Sequence, residues 1–105
     1  MLDCIHEEER DGFTIRFFAM PEIEDPADCF FYDGDEEIIQ KIHDGYFEWF
    51  MAKVTASRAG VELGADYLGA CCYENAREFV AEPYYEDMVS EALKQARNTI
   101  QELTK

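Results

Sequence analysis

Residues 60–73 read Gly60-Val61-Glu62-Leu63-Gly64-Ala65-Asp66-Tyr67-Leu68-Gly69-Ala70-Cys71-Cys72-Tyr73. Glu62 and Asp66 are the only charged residues in this run, and Gly60, Gly64 and Gly69 punctuate it. Glycine permits positive φ and close approach of a neighbouring backbone, while Val61, Leu63, Tyr67, Leu68, Cys71 and Tyr73 offer apolar contacts. The stretch predicts a packed strand and tight loop at the core. Immediately upstream, Phe50, Ala52, Val54 and Ala56 alternate with Met51, Lys53, Thr55 and Ser57, the two-residue period of a long strand from about residue 46 to 58. Ala59-Gly60 turns that strand back into the glycine-rich one, giving a hairpin.

Toward the N-terminus, residues 2–8 and 13–20 read as two more strands around Arg10-Asp11-Gly12, because Asp-Gly suits a two-residue turn. Phe13, Ile15 and Phe17 share the face expected to meet the core, and Thr14, Arg16 and Phe18 share the other. Glu7, Glu8 and Glu9 are expected to crowd the solvent side. Pro21 and Pro26 interrupt residues 21–32, which read as an acidic loop. Asp33 is expected to cap a helix, with Glu36 at the capping-box position, that runs through Ile38, Ile39 and Ile42 and stops at Gly45.

Toward the C-terminus, Asn75 and Glu78 repeat the capping-box spacing ahead of a short helix with Phe79 and Val80, and Pro83 then resets the backbone. Tyr85, Met88, Val89, Ala92, Leu93, Ala96, Ile100 and Leu103 recur at three- and four-residue steps, an apolar stripe that should lie across the sheet. The predicted architecture is one α+β domain over residues 1–105. It has an antiparallel sheet of about four strands in β-β-α-β-β-α-α order, with the C-terminal helix packed on one face.

The pattern Gly60-Val61-x-Leu63-Gly64-x-Asp66-Tyr67-Leu68-Gly69-x-Cys71-Cys72-Tyr73, followed by Phe79-Val80, Tyr85-x-Asp87-Met88-Val89 and Ala96-Arg97, resembles small uncharacterised proteins encoded by bacteriophages and prophages. The resemblance covers residues 60–105 and leaves the first half of the chain aside. It implies a phage accessory protein working inside a bacterial cell and supplies no catalytic residue to carry over.

Composition sets further bounds. A chain of 105 residues with a net charge of −15 would tend toward disorder, but 48% hydrophobic and 14% aromatic residues can build a core. So acidic a surface disfavours DNA, RNA and anionic lipid and favours basic partners. The acid is concentrated: residues 1–48 hold fifteen carboxylates against three bases, a balance of −12, and residues 49–105 hold nine against six, a balance of −3. No apolar run approaches the roughly 18–20 residues needed to cross a bilayer, and the start Met-Leu-Asp-Cys-Ile-His-Glu-Glu-Glu lacks the positive charge of a signal peptide. A location in the bacterial cytoplasm is expected.

The residues for chemistry are few. His6 lies among glutamates, His43 near a helix end, and neither Cys71 nor Cys72 has a base beside it in sequence. No enzyme is expected. Asp33-Gly34-Asp35-Glu36-Glu37 misses the calcium-loop spacing, and Cys4, Cys29, Cys71 and Cys72 make no Cys-x-x-Cys motif, so no metal or cofactor is assigned and the thiols are expected reduced and mostly buried. Binding is the better reading. Glu22, Glu24, Asp25, Asp28, Asp33, Asp35, Glu36 and Glu37 put eight carboxylates into sixteen residues, interleaved with Phe30, Phe31 and Tyr32. These eleven residues are the candidate surface, with carboxylates standing where phosphates would on a basic nucleic-acid-binding protein of the host. Phages make small acidic inhibitors of CRISPR–Cas and restriction systems, so the resemblance implies an anti-defence inhibitor. The alternatives are a phage structural or regulatory interaction module, a merely solvated face, and a homodimer through Tyr46, Phe47, Trp49 and Phe50.

Overall fold

A computed structural model describes residues 4–29 and 35–104. In order, it contains β1 Cys4–Arg10, β2 Phe13–Pro21, α1 Pro26–Cys29, α2 Asp35–His43, β3 Glu48–Arg58, β4 Val61–Tyr73, a 3-10 helix Ala76–Ala81 and α3 Pro83–Leu103. The four strands form one antiparallel sheet in the order β1-β2-β3-β4, with α3 packed against β3 and β4. This is the expected α+β architecture. Both outer hairpins turn through two residues of positive φ, Asp11 (55°) with Gly12 (84°) and Ala59 (53°) with Gly60 (78°). That is the turn whose twist matches paired strands.

One sheet face makes the core. Phe13, Ile15 and Phe17 of β2 and Phe50, Ala52, Val54 and Ala56 of β3 are buried against Tyr85, Met88, Val89, Ala92, Leu93 and Ala96 of α3. Phe79 enters from the 3-10 helix and stacks on Phe17 with ring centroids 5.1 Å apart. Asn75 caps that helix by accepting the Arg77 N–H at 2.9 Å. At Gly64 the α3 backbone comes close, since a Cβ there would stand 2.8 Å from the Ala96 nitrogen and closer still to the Ala92 carbonyl. The glycine is required by helix–strand contact.

Helix α3 leaves the opposite face of the sheet uncovered. Arg16, Phe18, Lys53, Thr55, Ser57, Gly60 and Glu62 line a shallow cleft of about 180 Å³ there. Tyr67, expected to supply core contacts, lies on this face at 52% exposure with the Lys53 ammonium 5.6 Å from its ring centre. Val61 is exposed as well, at the hairpin tip, beside the turn that leads into β4. The α3 stripe runs out before Leu103, 74% exposed in the last turn.

Glu8 departs from the expectation that it shares a solvent side with Glu7 and Glu9. Three consecutive strand residues cannot face one way. Register pairs His6, Glu8 and Arg10 with Phe17, Ile15 and Phe13, so their side chains turn to the α3 side while Glu7 and Glu9 point to the open face. The expected loop over residues 21–32 contains α1, a single turn with Pro26 at its start, where the missing N–H costs nothing. The proposed cap Asp33 lies outside the described residues. Helix α2 has acids in its first turn and no buried residue, with Ile38, Ile39 and Ile42 half-buried. The radius of gyration is 15.8 Å and the longest axis 53 Å. A compact chain of this length would have a radius of gyration of about 13 Å. Among the described residues, no helix is long and apolar enough to cross a membrane.

Candidate functional site

The acidic segment leaves the sheet at Pro21 and is tied back to it. Trp49 Nε1 donates to the Glu24 carbonyl at 2.9 Å. Glu22 is half-buried, and its carboxylate accepts the Glu24 N–H at 3.3 Å and the Ala70 N–H at 3.4 Å. Ala70 sits where β4 slips register against β3, at a φ of 57°. Few L-residues adopt that conformation, so Glu22 holds a strained amide in place. Asp25 accepts the Ala27 N–H at 2.9 Å and so caps α1, while Asp28 donates its backbone N–H to the Asp25 carbonyl.

Glu24, Asp25, Asp28, Glu36 and Glu37 are exposed, and Glu22 and Asp35 are half-buried. Phe30, Phe31, Tyr32 and Asp33 lie outside the described residues. Elsewhere five carboxylates have cations: Glu7 pairs with Arg16, Glu62 with Lys53, Asp11 with Arg97, and Glu8 and Glu86 share Arg10. Within the segment, Lys41 reaches Glu37 at 3.8 Å. No described lysine or arginine pairs with Glu22, Glu24, Asp25, Asp28 or Glu36. Their fields converge on Cys29, whose thiol pKa is pushed up first by burial and then by Glu24, Glu22, Asp28 and Asp25. Ile23 stands among these acids at 90% exposure. Glu22 and Glu24 flank this exposed apolar side chain in sequence.

The expected aromatic patch divides. Phe50 is buried in the core, Phe47 and Trp49 are half-buried, and Tyr46 alone is exposed. Lys41, Tyr46, Phe47 and Glu74 line an open groove of about 370 Å³ at the end of α2.

Sequence reasoning missed a second constellation, in which Glu8 accepts from the Tyr85 hydroxyl at 2.8 Å, lies 2.9 Å from His6 Nε2 and pairs with Arg10. Arg10 continues to Glu86 at 2.6 Å. Burial alone would raise the Glu8 pKa, but hydrogen bonds from Tyr85, His6 and Arg10 outweigh it and hold the carboxyl low. Burial and the bond to Glu8 push the Tyr85 phenol well up. The network joins β1 to the first turn of α3. The clue was the period-two pattern of His6, Glu8 and Arg10, which puts all three on one face of a strand.

The four cysteines are free, and Cys71 is the buried one; Cys4 is exposed, and Cys29 and Cys72 are half-buried. Expecting most of them buried therefore fails, because Cys4 and Cys72 lie on the two edge strands and Cys29 ends the short helix α1. Among the described residues no set of three His, Cys, Asp or Glu side chains converges as a metal site. No protein-family model, curated protein or solved structure matches the chain.

Proposed function

We propose that this protein is a small acidic inhibitor that docks residues 22–37 on a basic nucleic-acid-binding surface of a host protein, as a partial nucleic-acid mimic of phage type. The observation that carries the reading is the crowding of Glu22, Glu24, Asp25 and Asp28, whose fields converge on Cys29 and none of which pairs with a described lysine or arginine. Mutual repulsion of such groups is relieved when lysine and arginine approach, and charge-assisted bonds to them are the stronger kind. Tethers from Trp49 and Ala70 fix the path of residues 22–24, which lowers the entropy lost on docking. Ile23 supplies the apolar anchor.

The test uses Glu24→Gln, Asp28→Asn and Glu36→Gln together, since none of these side chains makes an ion pair among the described residues. Parent and variant are used to capture proteins from a bacterial lysate at about 50 mM and about 500 mM salt, a range over which screening of exposed charges rises steeply. The expected result is a nucleic-acid-binding protein captured by the parent at low salt, displaced by added duplex DNA or by RNA, and lost by the variant. Capture that is equal for both proteins, insensitive to salt and unaffected by nucleic acid would refute the mimic and favour an apolar interaction module.

A further inference from the structure

We propose that the outer edge of β1 is a strand-addition site for an extended protein segment carrying lysine or arginine at alternate positions. A sheet has two edges, and this one treats them differently. Along β4 the outward backbone groups are already engaged by side chains: Thr99 Oγ1 donates to the Leu63 carbonyl at 3.0 Å, Gln95 Oε1 accepts the Ala65 N–H at 3.2 Å, and Glu22 accepts the Ala70 N–H. Only the neighbourhood of Tyr67 is left between these contacts, too little for a strand to pair with.

Among the described residues, the β1 edge has no such side-chain cover. Arg10 and Phe13 flank a two-residue turn and therefore exchange both backbone hydrogen bonds, and the antiparallel alternation extends this to the pairs Glu8 with Ile15 and His6 with Phe17. The N–H and C=O groups of Glu7 and Glu9 then point away from β2. No side chain among the described residues bonds to them. The Glu7 and Glu9 side chains lie on the open sheet face, Glu7 paired with Arg16 at 2.6 Å and Glu9 accepting from the Thr14 hydroxyl at 2.7 Å.

An added antiparallel strand would hydrogen-bond to the Glu7 and Glu9 backbones. Its residues directly opposite would stand about 5.5 Å away on the same face. Cross-strand neighbours of opposite charge stabilise and like charges destabilise, so lysine or arginine two residues apart fits this edge. A second copy of β1 does not fit. It would bring Glu7 and Glu9 of both chains together along one face, which is how charged edges prevent self-pairing. The same two carboxylates reject a copy of the chain and select a basic strand.

The probe is a synthetic peptide alternating lysine and valine and long enough to span β1, with a glutamate-for-lysine peptide as control. Binding is followed by NMR hydrogen exchange of the Glu7 and Glu9 amides. Expected results are slowed exchange at both amides with the lysine peptide, no change at Glu8, which is already in the ladder, and no binding of the glutamate peptide. Glu7→Gln with Glu9→Gln should weaken binding roughly two- to fivefold per carboxylate. Glu9→Pro removes an outward N–H without touching the β1–β2 ladder and should abolish protection; if it fails to fold, the glutamine pair and the amide readout decide. Unmoved Glu7 and Glu9 amides at millimolar lysine peptide, or equal binding of the two peptides, overturn the proposal. The Glu24→Gln, Asp28→Asn, Glu36→Gln variant should bind the lysine peptide like the parent. Loss there would assign the peptide to the acidic segment and overturn the edge site.

Discussion

Replacing Gly64 with alanine tests the contact that seats α3. The new methyl would stand 2.8 Å from the Ala96 nitrogen, with the Ala92 carbonyl nearer. Both neighbours are helix backbone, so no rotamer change relieves the clash, and the nearer one, the Ala92 carbonyl, makes α3 recede by about 1.3 Å to reach ordinary contact distance. A radial gap of about 0.5–1 Å already forfeits a quarter to a half of each dispersion contact it opens, and this one is wider. The contacts at stake are those of Val89, Ala92, Leu93 and Ala96, all buried against the sheet. Overpacking of this kind costs about 1–3 kcal/mol, and a rigid backbone clash belongs at the upper end. For a domain of this size that lowers Tm by roughly 10–20 °C. Thermal and urea unfolding followed by circular dichroism measure it, with an unchanged m-value expected if the fold survives. The other two glycines of residues 60–73 serve as controls. Gly60 has open space but a φ of 78°, so alanine there should cost about 1–2 kcal/mol. Gly69 meets only the movable Glu22 carboxylate, at 3.4 Å, and should tolerate alanine best. A Gly64→Ala protein that melts within about 3 °C of the parent would show that α3 is not held against β4 at this point.

Two further outcomes follow from the electrostatics. Tyr85→Phe removes a hydrogen bond to a carboxylate and should destabilise the protein by about 1.5–3 kcal/mol at neutral pH. Because Glu8 is held below its usual 4.5, its contribution is present above that pH and fades as pH falls through the folded value, so the variant should lose less stability on acidification than the parent. Alkylation of the native protein should label Cys4 first and Cys71 last, with Cys29 slower than its exposure alone implies, since its thiol is kept protonated by burial and four carboxylates. Glu24→Gln with Asp28→Asn should speed Cys29 labelling, as should added salt; a rate indifferent to both would mean that the acids do not converge there.

Much of the fold was legible because its signals are local. The Asp11-Gly12 and Ala59-Gly60 turns, the alternation through β2 and β3, the Asn75 cap and the α3 stripe each depend on residues a few positions apart. What escaped depends on which surface a residue meets. Nothing in the glycine-rich run says that Gly64 touches a helix while Tyr67 faces outward, because β4 is covered on one side only. The α1 turn was hidden by Pro26, read as an interruption although it opens a helix. Of the candidate site, the charge was plain in the composition. The tethers were not, because Glu22 reaches Ala70 and Trp49 reaches Glu24 across long sequence separations. Exposure of Ile23 depends equally on a chain path that no local pattern encodes.

The sequential order of the sheet matters during synthesis. Each strand pairs with the one made just before it, so the sheet is complete once Tyr73 has left the ribosome, yet the last buried residue of α3, Ala96, comes later. At about 5–20 residues per second this interval lasts roughly one to five seconds. Through it the face bearing Phe13, Ile15, Phe17, Phe50 and Val54 has no helix over it. Residues 1–48 carry −12 of the chain's charge, and unfinished molecules therefore repel one another while that apolar face is still bare.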